Sequence, residues 1–165
     1  MRRTFFFATL VAIMVIAMSL TSCKRNSNER QQPKRLRLQL MRPDPSWGKP
    51  IPGSSGTLTY FNYYDGQFEG NITLNGLEPS HAYQLSLNEH QNYPIGDLLP
   101  KGIGGEGVKD FFEVYVDSSR NTTADFFTDL KPGNYHVKFF VKDKVDFQVV
   151  LYNDDLVFEV KAPSQ

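Results

Sequence analysis

Thr57-Leu58-Thr59-Tyr60-Phe61-Asn62-Tyr63-Tyr64-Asp65-Gly66-Gln67-Phe68-Glu69-Gly70-Asn71-Ile72-Thr73-Leu74 reads as two β-strands facing each other across Asp65-Gly66. β-Branched and aromatic residues dominate both halves, and the glycine tolerates the positive φ that a two-residue type I′ turn demands. Folding the stretch about that turn sets Tyr63 against Phe68, Phe61 against Gly70, Thr59 against Ile72 and Thr57 against Leu74. This face is expected to be buried. The open face then carries Leu58, Tyr60, Asn62 and Tyr64 opposite Thr73, Asn71, Glu69 and Gln67. Tyr60 and Tyr64 are thereby candidates for a sugar-stacking platform, set against ordinary cross-strand packing of β-formers.

Toward the N-terminus, Leu36, Leu38 and Leu40 alternate with Arg35, Arg37 and Gln39, which predicts a half-buried strand over Lys34 to Met41. Pro43, Pro45, Pro50 and Pro52 then mark a loop, with Trp47 expected to plug one end of the core. Toward the C-terminus, Leu77-Glu78-Pro79-Ser80-His81-Ala82-Tyr83 leads into the alternating Tyr83, Leu85 and Leu87. Leu130-Lys131-Pro132-Gly133-Asn134-Tyr135 leads in the same way into Tyr135, Val137, Phe139 and Val141. Each stretch resembles the tyrosine corner of fibronectin type III and immunoglobulin-like sandwiches, where the tyrosine hydroxyl bonds back to the backbone near the start of the corner. Further strands are expected at Phe111 to Val116, Ala124 to Asp129, Phe147 to Tyr152 and Leu156 to Lys161, the last two joined by a turn at Asn153-Asp154-Asp155. About nine strands with turn chemistry between them predict an all-β fold. With the two corners, the expectation is a two-sheet, immunoglobulin-like Greek-key sandwich over residues 34–165.

Residues Gln91 to Lys109 are the least regular part of this body, with Pro94, Pro100 and the run Gly102-Ile103-Gly104-Gly105-Glu106-Gly107. A loop this long is uncommon in a compact domain, so Ile103, Gly104, Gly105, Glu106 and Gly107 are candidates for contact with a partner. The glycines do not cradle phosphate: no Gly-Lys-Ser/Thr ends the run, and a strand rather than a helix follows. Catalytic patterns are likewise missing from the sequence. His81, His90 and His136 form no His-x-His pair, and no serine sits in a Gly-x-Ser-x-Gly elbow. Asp143, Asp146, Asp154 and Asp155 fall in expected turns; they offer hard oxygen donors for calcium, or cap their own backbone as solvated turn residues.

Leu20-Thr21-Ser22-Cys23 ends the chain's one long apolar run. Arg2 and Arg3 precede fourteen uncharged residues, Phe5 to Met18, which is the length of a cleavable signal and short for a membrane span. The tetrapeptide resembles the lipobox of bacterial lipoproteins. The resemblance implies removal of residues 1–22 as a signal peptide and attachment of a diacylglyceryl group, usually with a third acyl chain, to Cys23. Several acyl chains hold a protein firmly at a membrane where one does not. Cys23 is the single cysteine, so no intramolecular disulfide can form. Residues 23–33 continue as a polar, basic tether without apolar residues to bury.

The formal net charge of zero divides unevenly. Lys24 to Arg42 holds seven basic residues and one acid, while Pro43 to Gln165 holds nine basic and seventeen acidic residues. A basic stalk suits an anionic membrane surface; an acidic body is repelled by nucleic acid, which is excluded as a partner. The expectation is a non-catalytic β-sandwich in the bacterial cell envelope, lipid-anchored through Cys23 with its body outside the cytoplasm, using no cofactor and binding a protein or glycan. The anchoring membrane is the outer one if the source is Gram-negative. Two other classes stay open: an envelope enzyme with a site assembled across loops, and a calcium-dependent binding module.

Overall fold

A computed structural model describes residues 32–44, 46–99 and 107–162. The lipidation candidate Cys23 and the loop candidates Ile103, Gly104, Gly105 and Glu106 lie outside the described residues. Among the described residues the protein is all-β. Its strands are β1 (Lys34–Leu40), β2 (Ser55–Tyr60), β3 (Tyr63–Asp65), β4 (Gln67–Asn75), β5 (His81–Glu89), β6 (Val108–Val116), β7 (Asn121–Asp129), β8 (Gly133–Asp143) and β9 (Val149–Lys161), with one 3-10 turn at Gly96–Leu98.

The strands run β6-β5-β8-β9-β1-β2-β4-β7 in one hydrogen-bonded path, with β3 alongside β9. Strand β1 makes the path continuous. Its first part, Lys34 to Leu38, pairs antiparallel with β2, while Gln39 and Leu40 pair with Tyr152 and Leu151 of β9. The end strands β6 and β7 come into contact, so the sheet nearly closes into a barrel. One continuous sheet thus stands where the alternation and corners predict two, because a shared strand leaves fewer unpaired edges than two separate sheets.

The central hairpin departs from its expected register by one residue. Thr57 faces Thr73, Leu58 faces Ile72 and Tyr60 faces Gly70. Because side chains alternate along a strand, this shift turns over the face of the first half alone, while Phe68, Ile72 and Leu74 of β4 stay buried as expected. Leu58, Tyr60 and Tyr64 are buried; Thr57 and Thr59 point outward, and Tyr63 is 46% exposed. Tyr60 and Tyr64 therefore form no platform. The reason lies at Phe61 and Asn62, where the strand breaks and β3 leaves β4 to run parallel to β9, Tyr63 beside Glu159. Gly66 alone in Asp65-Gly66 has a positive φ, of 80°, whereas a type I′ turn needs one at both central positions. Burial favours the observed register. Each leucine or tyrosine moved inward contributes roughly 1.5–3 kcal/mol, whereas the expected register buries threonine hydroxyls instead.

Both tyrosine corners form. The Tyr83 hydroxyl accepts a hydrogen bond from the Glu78 N–H at 3.0 Å, and the Tyr135 hydroxyl donates to the Lys131 carbonyl at 2.7 Å. Tyr135 belongs to an aromatic column in the core, stacked on Phe158 at 4.9 Å, which in turn stacks on Phe68 at 4.3 Å. Phe126 from β7 closes the column at 5.4 Å from Phe68. Gly70 makes room for it: a Cβ there would lie 2.8 Å from the Phe126 ring.

At the C-terminus the expected turn at Asn153-Asp154-Asp155 is instead the middle of β9. Val137 pairs with Leu156 and Phe139 with Asn153, so two steps along β8 span three along β9, a β-bulge at Asp154 and Asp155. The Asn153 side chain accepts from the Asp155 N–H at 2.8 Å, the self-capping chemistry expected of a turn, used here inside a strand.

Candidate binding cleft

Strand β8 turns Tyr135, Val137, Phe139 and Val141 into the core, so Lys138, Phe140 and Lys142 face outward. An outward phenylalanine needs cover, and the proline-rich loop supplies it. After β1 the chain folds back over the outer face: Met41 N–H donates to the Val150 carbonyl at 3.0 Å, Lys49 N–H to Val149 at 2.9 Å, and Val149 N–H to Trp47 at 2.6 Å. A tight turn at Asp44–Gly48 makes this return. The Asp44 carboxylate accepts from the Ser46 N–H at 2.8 Å and from the Ser46 hydroxyl, and these bonds hold its carboxyl below the usual range. Met41, Phe140 and Val149 are buried in a second, small apolar cluster, with Tyr152 packed against it.

Trp47 does not plug the main core. It is 43% exposed, and its ring is tilted 43° to that of Phe140 at 6.3 Å. Together with Tyr152 these rings wall a cleft of about 440 Å³, rimmed by Arg42, Asp44, Lys138 and Asp154. The bulge in β9 places Asp154 at that rim. On the rest of this outer face the lysines are paired: Lys142 with Asp110 at 3.0 Å, Lys144 with Glu113 at 3.2 Å, and Lys49 with Asp143 at 2.8 Å. Among the described residues, Arg42, Lys138 and Asp154 have no such partner. Three charged groups that have no ion-pair partner among the described residues thus line the cleft that holds the exposed tryptophan.

No family model, curated protein or solved structure matches this chain.

Two other clusters carry polar chemistry. Asp143 is fully buried; its carboxylate accepts from the Lys49 ammonium at 2.8 Å and the Val145 N–H at 2.8 Å, and His81 Nε2 lies 3.1 Å away. Burial pushes the Asp143 carboxyl up, but the Lys49 and Val145 bonds, with His81 close by, outweigh it and hold the group at about 2. The Asp143 hydrogen bond in turn pushes the Lys49 ammonium up. Glu78, His81 and Asp143 bring one donor atom each within 4.8 Å of one another, a nitrogen-and-oxygen set suited to a transition ion. Lys49 already neutralises the buried carboxylate there. The second cluster stacks Tyr93 on His136 at 3.8 Å, with His136 Nε2 2.9 Å from Asp155 and His90 5.0 Å from Tyr93.

The four aspartates considered for calcium are thus not brought together. Asp143 and Asp146 share Lys49, Asp154 lines the cleft, and Asp155 holds His136. Gly107, the one described member of the glycine run, is buried with φ of 71°, and its carbonyl accepts from the Glu89 N–H at 2.7 Å. Burial pushes the Tyr60 and Tyr64 phenols up, and Tyr64 accepts from the Phe61 N–H at 2.6 Å. The signal that sequence reasoning passed over is the pair Phe140 and Tyr152: aromatic residues on the polar side of two strands that hydrogen-bond face to face.

Proposed function

We propose that this chain is a lipid-anchored, non-catalytic binding module of the bacterial cell envelope, tethered through Cys23, whose contact surface is the Trp47 cleft. The observation that carries the reading is an exposed tryptophan over Phe140 and Tyr152, beside charged groups that have no ion-pair partner among the described residues. A lone solvated charge needs no explanation; three around one aromatic cleft fit a ligand or partner that completes them. For the finer architecture we propose immunoglobulin-like Greek-key connectivity, with β2-β4-β7 laid over β9-β8-β5-β6 and β1 bridging them. The strand order and the two tyrosine corners support it.

The anchor is tested by the intact mass of the protein from bacterial membranes beside a Cys23→Ser variant. A chain beginning at Cys23 with added lipid mass, lost in the variant, is expected; an unprocessed chain would sink the lipoprotein reading. The cleft is tested by iodide quenching. Trp47 is the single tryptophan, so fluorescence of the full-length protein reports this surface alone. Polysaccharide or protein fractions of the envelope are expected to shield it from iodide, and unchanged quenching with every fraction would remove the cleft as the contact surface.

A further inference from the structure

Resting on the reading of the Trp47 cleft as the contact surface, we propose that its ligand is an acidic saccharide, a pyranose unit bearing a carboxylate. Three features of the site select this class. The first is the backbone. The cleft floor is the cross-strand pair Phe140 and Tyr152, on strands that are both interior: β8 lies between β5 and β9, and β9 between β8 and β1. Phe140 lies between Ser86 and Tyr152, and Tyr152 between Phe140 and Gln39, so among the described residues the floor itself leaves no strand edge to which a peptide could add.

The second is shape. About 440 Å³ lies within the range of small-ligand pockets, and the tilted rings of Trp47 and Phe140 make an angled apolar wall. The face of an indole carries negative charge density that attracts the weakly positive C–H groups on one side of a pyranose ring. Sugar hydroxyls then point to the rim. The third is charge. The chain from Arg42 onward holds seventeen acids against ten bases, yet Arg42 and Lys138, which have no ion-pair partner among the described residues, both line this one cleft. The guanidinium fork of Arg42 matches a carboxylate through paired N–H bonds, and Lys138 adds a second positive charge. The Asp44 carboxylate is engaged by its own turn, which leaves Asp154, aimed by the bulge, to accept from hydroxyls.

The test is a titration of Trp47 fluorescence in the full-length, detergent-solubilised protein. Trimers of galacturonate, mannuronate and glucuronate are compared with maltotriose and with triglutamate peptide. At least one uronate trimer is expected to give a saturable change at about tenfold lower concentration than maltotriose, with the advantage fading as salt rises. Arg42→Gln and Lys138→Gln are each expected to weaken uronate binding about tenfold and leave the melting temperature unchanged. Asp154→Asn should weaken both sugars. Equal binding of maltotriose would overturn the acidic part of the proposal, and tighter binding of triglutamate would overturn the saccharide part. Silence with all three uronates overturns it entirely. If envelope fractions still shield Trp47 from iodide in that case, the cleft remains the contact surface and only its ligand class has failed; if they do not, both readings fall together.

Discussion

Asp143 shows how one buried carboxylate can be made tolerable. It has no solvent exposure, and a lone charge there would cost several kcal/mol. Lys49 reaches it from the proline-rich loop, Val145 donates from the following turn and His81 closes the far side. The group's folded value of about 2 lies below the unfolded carboxylate value, so its stabilisation is complete above about pH 4 and is lost as pH falls through that interval toward 2. Lys49→Met is expected to destabilise the protein by about 2 kcal/mol at pH 7, since Lys49 is itself partly exposed and screened. Urea unfolding of both proteins from pH 7 to pH 2 should show this gap narrowing below pH 4. A gap that stayed constant with pH would assign the loss to packing of the lysine stem.

At the scale of elements, the hairpin is decided by one break and one glycine. Once β3 leaves β4 at Phe61 and Asn62, the register of β2 is free to bury Leu58 and Tyr60, and Gly70 opposite Tyr60 leaves space for Phe126. Gly70→Ala is expected to cost roughly 1–3 kcal/mol, because its Cβ would stand 2.6 Å from the Thr59 carbonyl and 2.8 Å from Phe126. Denaturant midpoints measure this directly; a neutral substitution would mean that Thr59 and Phe126 yield freely and that Gly70 does not set the packing. In β1 the expected alternation is present but uneven. Leu38 is buried, Leu36 half-buried and Leu40 42% exposed, since the strand changes partner from β2 to β9 at Gln39.

In the whole molecule, the main core and the proposed contact surface belong to different apolar clusters. The main core packs Phe68, Phe126, Tyr135 and Phe158 between the two arms of the sheet, while Met41, Phe140 and Val149 lie on its outer face beneath the Trp47 loop. Phe68→Ala is expected to cost about 3–5 kcal/mol, whereas Trp47→Phe, at a partly exposed site, should cost less than about 1 kcal/mol. Thermal melts of the two variants separate these cases. A large loss with Trp47→Phe would make the loop a structural lid and weaken its role as a contact surface.

What the sequence by itself determined was local: strand content, the alternation of β8, and the two corners, whose tyrosines need only a few residues of chain to find their backbone partners. The proposed lipobox likewise rests on four consecutive residues, Leu20-Thr21-Ser22-Cys23. The tertiary structure decided what depends on distant partners. Only β9 draws β3 away and shifts the hairpin register, only β8 converts Asn153-Asp154-Asp155 from a turn into a bulge, and only the fold-back of residues 41–49 turns Trp47 from core filler into a cleft wall. Period-two alternation tells which side chains share a face, but it does not say which face is covered. That choice rests on the total area buried across strands far apart in the chain.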